Sequence, residues 1–163
     1  LNREASAMEF QVGQIFATDE EKLQVAIAEA HLGLAEGGIP IGAALFDEEG
    51  RLLGSGHNRR VQDGDASMHG ETSAFRNAGR QRSYRKVTLA TSLSPCWYCS
   101  GLIRQFGIGR VLVGDDKNFM GGQDWVAEHG AELHVMNDPG LVELMREFIE
   151  ANPTLWNEDI GEE

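Results

Sequence analysis

The chain has 163 residues, 41% of them hydrophobic and 25% charged, which is enough to bury one ordinary globular core. Its 26 acidic side chains against 14 basic ones give a formal charge of −12, which argues against a polyanion such as nucleic acid as partner. No apolar run approaches the roughly 20 residues that span a bilayer, and the first residues carry no secretory-type apolar stretch, so no membrane partner is expected and the cytoplasm is the default compartment.

In chain order, residues 1–17 read as a loosely anchored, flexible arm, ahead of one domain over 18–163. Thr18-Asp-Glu-Glu21 has the form of a capping box. Leu23, Ala26, Ile27, Ala30 and Leu34 follow at helical spacing until Gly37-Gly38. Ile41–Phe46 and Arg51–Gly56 flank Asp-Glu-Glu-Gly and read as a hairpin. A helix is expected from His69 to about Gly79, then a buried strand over Val87–Leu93. Ser94-Pro95 looks like the cap and first residue of the next helix, which carries Leu102, Ile103 and Phe106 and stops at Gly107. Strand Arg110–Gly114, a helix near Asp124–His129, strand Glu132–Met136 and a helix over Pro139–Ala151 complete the pattern. Strands alternating with helices after a hairpin predict an α/β fold of three layers, α/β/α, on a mixed five-stranded sheet.

Only two cysteines are present, Cys96 and Cys99, too few for a disulfide framework. At i and i+3 on a helix's first turn their sulfurs point the same way, and a helix N-terminus favours thiolate. His69 and Glu71 pose a harder problem, since i and i+2 diverge by about 200° within a helix. They converge only on a point just off the helix end. Two thiolates and the His69 imidazole make three ligands. A structural zinc takes four from protein, whereas a catalytic one keeps a place for water. His31, His57, His129 and His134 stand alone in the sequence and read as ordinary surface or core histidines. Zinc, one ion per chain, in an open site is therefore expected.

His69-Gly70-Glu71, then 23 residues, then Pro95-Cys96-Trp97-Tyr98-Cys99 is the H-x-E…P-C-x-x-C signature of zinc-dependent deaminases. From residue 18 onward the chain resembles the cytidine and cytosine deaminase superfamily, and within it the fungal-type cytosine deaminases that act on the free base. The resemblance implies that Glu71 is the acid/base and not a ligand. It assigns substrate contacts to Asn58 in Gly56-His57-Asn58, to Ile41 and Gly70, to Ser94, and to Phe119 as an aromatic over the ring. Trp156 and Asp159 would belong to a C-terminal lid over about residues 152–163. It also implies a small nucleobase as partner and a homodimer. Read alone, Asn58 is a turn residue, Phe119 and Trp156 are core, and Asp159 is a solvated carboxylate. The segments Thr72–Phe75 and Trp97-Tyr98 depart from the family pattern. Hydrolytic deamination of cytosine to uracil is the expected reaction. Deamination of guanine, creatinine, a triazine or isocytosine is the alternative, and a redox dithiol or a structural zinc clip is the reading from another class.

Overall fold

The computed structural model describes residues 10–162. Helix α1 (Asp19–Ala35) opens at Thr18, whose Oγ1 accepts from the Glu21 N–H at 3.1 Å. The Glu21 carboxylate closes the box one residue early, accepting from the Ala17 N–H at 2.9 Å. Strands β1 (Gly42–Phe46) and β2 (Leu52–His57) form the hairpin. There follow α2 (Arg60–Asp63), α3 (Gly70–Ala78), β3 (Thr88–Thr91), α4 (Trp97–Phe106), β4 (Arg110–Val113), α5 (Gln123–Glu128), β5 (Glu132–Val135), α6 (Pro139–Ala151) and α7 (Pro153–Ile160).

The sheet order is β2-β1-β3-β4-β5. β1 runs antiparallel to both β2 and β3, while β3, β4 and β5 are parallel, which makes the sheet mixed and five-stranded as expected. The two-residue period of the strands distributes the core. Ala43, Leu45, Leu89, Val111 and Val113 face Ala74 of α3, Ile103 of α4 and Val126 of α5. Ala44, Phe46, Ala90 and Leu112 face Leu23 and Ala26 of α1 and Leu141 of α6. With both faces covered, β1 and β3 are buried along their whole length and β4 along all but Arg110, and the α/β/α layering follows. A third cluster, built on Ile39, Ile41, Leu93, Met145, Phe148 and Trp156, packs α6 and α7 against the loops that leave β3 and precede β1. That is the carboxyl end of the parallel strands, where open α/β sheets bind ligands.

Two expectations need correction. Helix α4 is capped by Cys96, and Ser94-Pro95 lies outside it. The Ser94 hydroxyl is engaged elsewhere, donating to Gln123 Oε1 at 2.7 Å, and its N–H donates to the Asp115 carbonyl at 2.8 Å. The arm is also better held than its composition suggests. Residues 1–9 lie outside the described residues, but Gly13 N–H donates to the Leu52 carbonyl, Leu52 N–H to the Gln14 carbonyl and Phe16 N–H to the Gly50 carbonyl, each at 2.8 Å. Phe16 is buried edge-on against Phe46. These ladder bonds cover the outer edge of the hairpin, which would otherwise offer unpaired backbone groups.

Helix α3 lies almost on the backbone of β2. A Cβ on Gly54 would sit 2.5 Å from the Ala78 nitrogen, and one on Gly56 would sit 2.3 Å from Ser73 Oγ and 2.8 Å from the Ala74 nitrogen. Glycine at these positions sets the depth of α3, and hence the position of His69 and Glu71 at its start. Gly56→Ala is expected to push α3 outward and lower stability by about 1–3 kcal/mol, the usual cost of overpacking. Urea denaturation measures it, and an unchanged midpoint would remove this role from the glycine.

Candidate active site

The two motif helices begin in the same way. His69 is the N-cap of α3 and Cys96 the N-cap of α4, both with extended backbone (ψ 168° and 175°). An N-cap side chain leaves the helix at an angle that no interior position can adopt. This resolves the divergence of His69 and Glu71, because only Glu71 is inside the helix. Thr72 Oγ1 accepts from the His69 N–H at 2.8 Å and donates to the Ser67 carbonyl at 2.9 Å, which fixes the start of α3. The Cys99 N–H donates to Cys96 Sγ at 3.5 Å. Tyr98, between the cysteines, bonds the Ser67 carbonyl at 3.2 Å and meets the His69 ring edge-on at 5.1 Å.

His69 Nδ1 lies 3.5 Å from Cys96 Sγ, and the donor atoms of His69, Cys96 and Cys99 all lie within 4.8 Å of one another. Both thiols are free. With bonds of about 2.3 Å to sulfur and 2.0–2.1 Å to nitrogen, tetrahedral zinc separates an N and an S ligand by about 3.6 Å. The His69–Cys96 separation matches that geometry, and the donor set is of the right type and closeness for the ion.

The charges point the same way. The Cys96 thiol is drawn down to about 4, first by its contact with the Cys99 thiol and then, against the effect of burial, by His69 and the Cys99 N–H. The Cys99 thiol is pushed well up by Cys96 and by burial. Burial lowers the affinity of His69 for a proton, but Cys96 and Glu71 outweigh it and raise its pKa to about 9. Glu71 is pushed up to about 7 by burial, then by the negative charge of Cys96. Buried groups with this many potential negative charges either collect protons or hold a cation.

A cavity of about 20 Å³ adjoins the cluster, lined by His69, Glu71 and Cys96 together with Ile41, Asn58, Gly70, Ser94, Phe119, Trp156 and Asp159. All seven residues expected to touch substrate therefore meet at one wall or another of this space. Leu93 and Ile160, neighbours of Ser94 and Asp159 in the segments that carry the resemblance, line it too. Phe119 and Trp156 meet edge-on with centroids 5.8 Å apart. Asn58 is fully buried, its Oδ1 accepting from the Arg60 N–H at 3.0 Å and its Nδ2 donating to Asp159 Oδ1 at 3.2 Å.

Residues 5–115 match the family profile described as the cytidine and deoxycytidylate deaminase zinc-binding region. The chain belongs to this zinc-binding deaminase family. A cytosine deaminase from Candida albicans (strain SC5314 / ATCC MYA-2876) is 44% identical over 146 residues, spanning 88% of this chain and 97% of that protein. A tRNA-specific adenosine deaminase from Haemophilus influenzae (strain ATCC 51907 / DSM 11121 / KW20 / Rd) is 34% identical over 99 residues, 59% of this chain and 57% of that protein. Among solved structures, a guanine deaminase from Nitrosomonas europaea superposes with a TM-score of 0.71 at 20% identity, covering 83% of this chain and 87% of that one, so the fold is shared. Zinc is thus the cofactor of the family and the ion that the His69, Cys96 and Cys99 cluster suits.

Two residues beside this deaminase site escaped sequence reasoning. His57 ends β2 with Nδ1 2.7 Å from Glu29 and Nε2 2.8 Å from Glu36. Burial pulls its pKa down, yet the bonds to both glutamates prevail and the net shift is upward. Arg60 is the other, and its only sequence signal was a basic residue two positions after a turn asparagine. Replacing Cys96 by Ser is expected to remove a thiolate that both binds zinc and caps α4. Metal analysis of the purified variant should find less than about a tenth of the wild-type zinc, and full occupancy would remove Cys96 from the ligand set.

Proposed function

We propose that the chain catalyses hydrolytic deamination of free cytosine to uracil and ammonia. The observation that carries this reading is the Asn58–Asp159 pair closing one wall of a small cavity that Glu71 and the metal cluster also line. A cavity of about 20 Å³ holds roughly one water. It admits a planar base only if α7 gives way, and Trp156 and Asp159 wall it closely, which favours a free base over a nucleoside. The identity of 44% across nearly the whole of the Candida cytosine deaminase supports the same substrate.

Zinc, when bound, supplies acidified water at neutral pH. Everything else falls to the side chains. The Asn58 amide offers a second N–H and a second lone pair, which suits the carbonyl and ring N–H on one edge of cytosine. Asp159 accepts from the exocyclic amine. Phe119, Trp156 and Ile41 provide apolar surface against the two faces of the ring, and Ser94 and Gly70 contribute close backbone. Glu71 takes a proton from the attacking water and passes it to ring N3 as C4 becomes tetrahedral. It then moves the proton of the new C4 hydroxyl to the amine, so that the C4–N bond breaks, ammonia departs and a carbonyl remains at C4. Its burial beside the cluster matches a group that must gain and lose protons at neutral pH.

The same proposal places the reaction in pyrimidine salvage in the cytoplasm, a compartment that keeps Cys96 and Cys99 reduced. It assigns no role to nucleic acid or membrane, and no helix among the described residues is long and apolar enough to cross one. Trp97, Tyr98 and Met120 are exposed beside the mouth of the site. That apolar patch supports a homodimer, for which sedimentation velocity of the zinc-loaded protein should return twice the chain mass rather than once.

Ammonia release from cytosine, guanine, creatinine, a triazine and isocytosine, with and without chelator, tests the substrate. Cytosine should be preferred and the activity chelator-sensitive; preference for any other base would overturn the assignment. Glu71→Gln should keep its zinc and lose about 10²–10⁴ in kcat, the usual contribution of a general acid–base. A variant turning over at the wild-type rate would dismiss Glu71 from proton transfer.

A further inference from the structure

Arg60 lies outside both motifs, yet two of its polar groups reach residues that line the cavity and a third reaches the outer side of α7. Its backbone N–H donates to Asn58 Oδ1 at 3.0 Å, its Nε to Asp159 Oδ1 at 2.9 Å, and its Nη1 to Glu158 Oε2 at 3.0 Å. The last two bonds join α2 to α7 across about a hundred residues of chain. The arginine side chain is 16% exposed, Asp159 4% and Glu158 57%, so the inner bond is dry and the outer one wet. Asn58 Nδ2 shares the same Oδ1 of Asp159 at 3.2 Å. Two donors therefore occupy Oδ1, while Oδ2 accepts no hydrogen bond among the described residues.

We propose that Arg60 is a positioning residue that latches α7 over the site and turns Asp159 into a fixed acceptor that distinguishes an amine from a carbonyl. This rests on the reading of Asp159 as the partner of the substrate's amine. A carboxylate offers only lone pairs. With Oδ1 pinned by Arg60 and Asn58, Oδ2 is left for the exocyclic N–H of the substrate. Deamination replaces that nitrogen by a carbonyl oxygen, so lone pair meets lone pair and the product is bound less well than the substrate. The bidentate shape of guanidinium matters, because one fork reaches Asp159 and the other Glu158, so loss of product and opening of α7 are governed by the same side chain.

The test uses the zinc-loaded full chain as wild type, Arg60→Gln, Arg60→Lys and Glu158→Gln. Hydrogen exchange followed by mass spectrometry compares residues 153–160 with residues 97–106. In parallel, the inhibition constant of uracil is divided by the KM of cytosine. Arg60→Gln should speed exchange in α7 about tenfold, as loss of a buried charged hydrogen bond implies, with α4 unchanged. It should also lower the uracil-to-cytosine ratio about tenfold. Arg60→Lys should recover part of both. Glu158→Gln, which cuts only the exposed arm, should loosen α7 about threefold and leave the ratio as it was. Protection of α7 within twofold of wild type in Arg60→Gln overturns the latch, as does a parallel rise in α4. An unchanged ratio overturns the selective acceptor. If wild type released no ammonia from cytosine, the substrate reading would fail, and exchange of α7 would still decide the latch.

Discussion

Two thiols, an imidazole and a carboxylate cannot share a buried space of a few ångström while each keeps its ordinary protonation. The cost of removing them from water is met only by a cation or by protons gathered from solvent. The rest of the molecule can be understood as the scaffold that makes this crowding possible. Two helices start at the same place, and each contributes an N-cap side chain outside its own axis, His69 from α3 and Cys96 from α4. The partial positive charge of both helix starts faces the thiolates. An N-cap is the one helical position where a ligand can be aimed away from the helix while the next turn carries a second functional group, Glu71 in α3 and Cys99 in α4.

Holding two helix starts in register requires a rigid floor. The parallel pair β3 and β4 provides it, since both α4 and the loop after β4 depart from adjacent strand ends, and the Ser94 N–H bonds the Asp115 carbonyl across them. The antiparallel hairpin serves a different need. Its strand β2 carries no bulk where α3 crosses it, and ends at His57-Asn58. The His57 ring spans Glu29 and Glu36, so α1 and the end of β2 are held together by two charged hydrogen bonds immediately before Asn58, which lines the cavity. Asn58 is thereby placed by the sheet and oriented by Arg60.

Much of this was legible in the sequence, for reasons that differ from element to element. The helices α1 and α6 carry caps and periodic apolar faces, and Asp138-Pro139 announces the start of α6 as Thr18 does that of α1. The cluster of His69, Cys96 and Cys99 was legible because metal chemistry restricts residue type and spacing within short segments. The start of α4 misled, because Ser94-Pro95 has the local chemistry of a cap while the serine hydroxyl is drawn to Gln123, 29 residues away. Residues 10–17 misled because an edge ladder relies on backbone groups, which leave little trace in composition; the buried Phe16 was the available signal. Asn58, Trp156 and Asp159 were visible only through resemblance, and Arg60 not at all, because its partners are nearly a hundred positions distant and no periodicity connects them.

The distribution of long-range contacts also separates chemistry from access. The metal ligands and Glu71 sit on the central helices, packed on a face of the sheet with Ala74 and Ile103 fully buried beneath them. Helix α7 lines the same cavity from the end of the chain, packs through Trp156 on a smaller cluster and is tied down by Arg60. A reacting centre must not move by even an ångström, whereas a cavity holding about one water must open before a base can enter. Both demands are satisfied if the rigid elements hold the reacting groups and the last helix, joined by few and partly solvated bonds, holds the door.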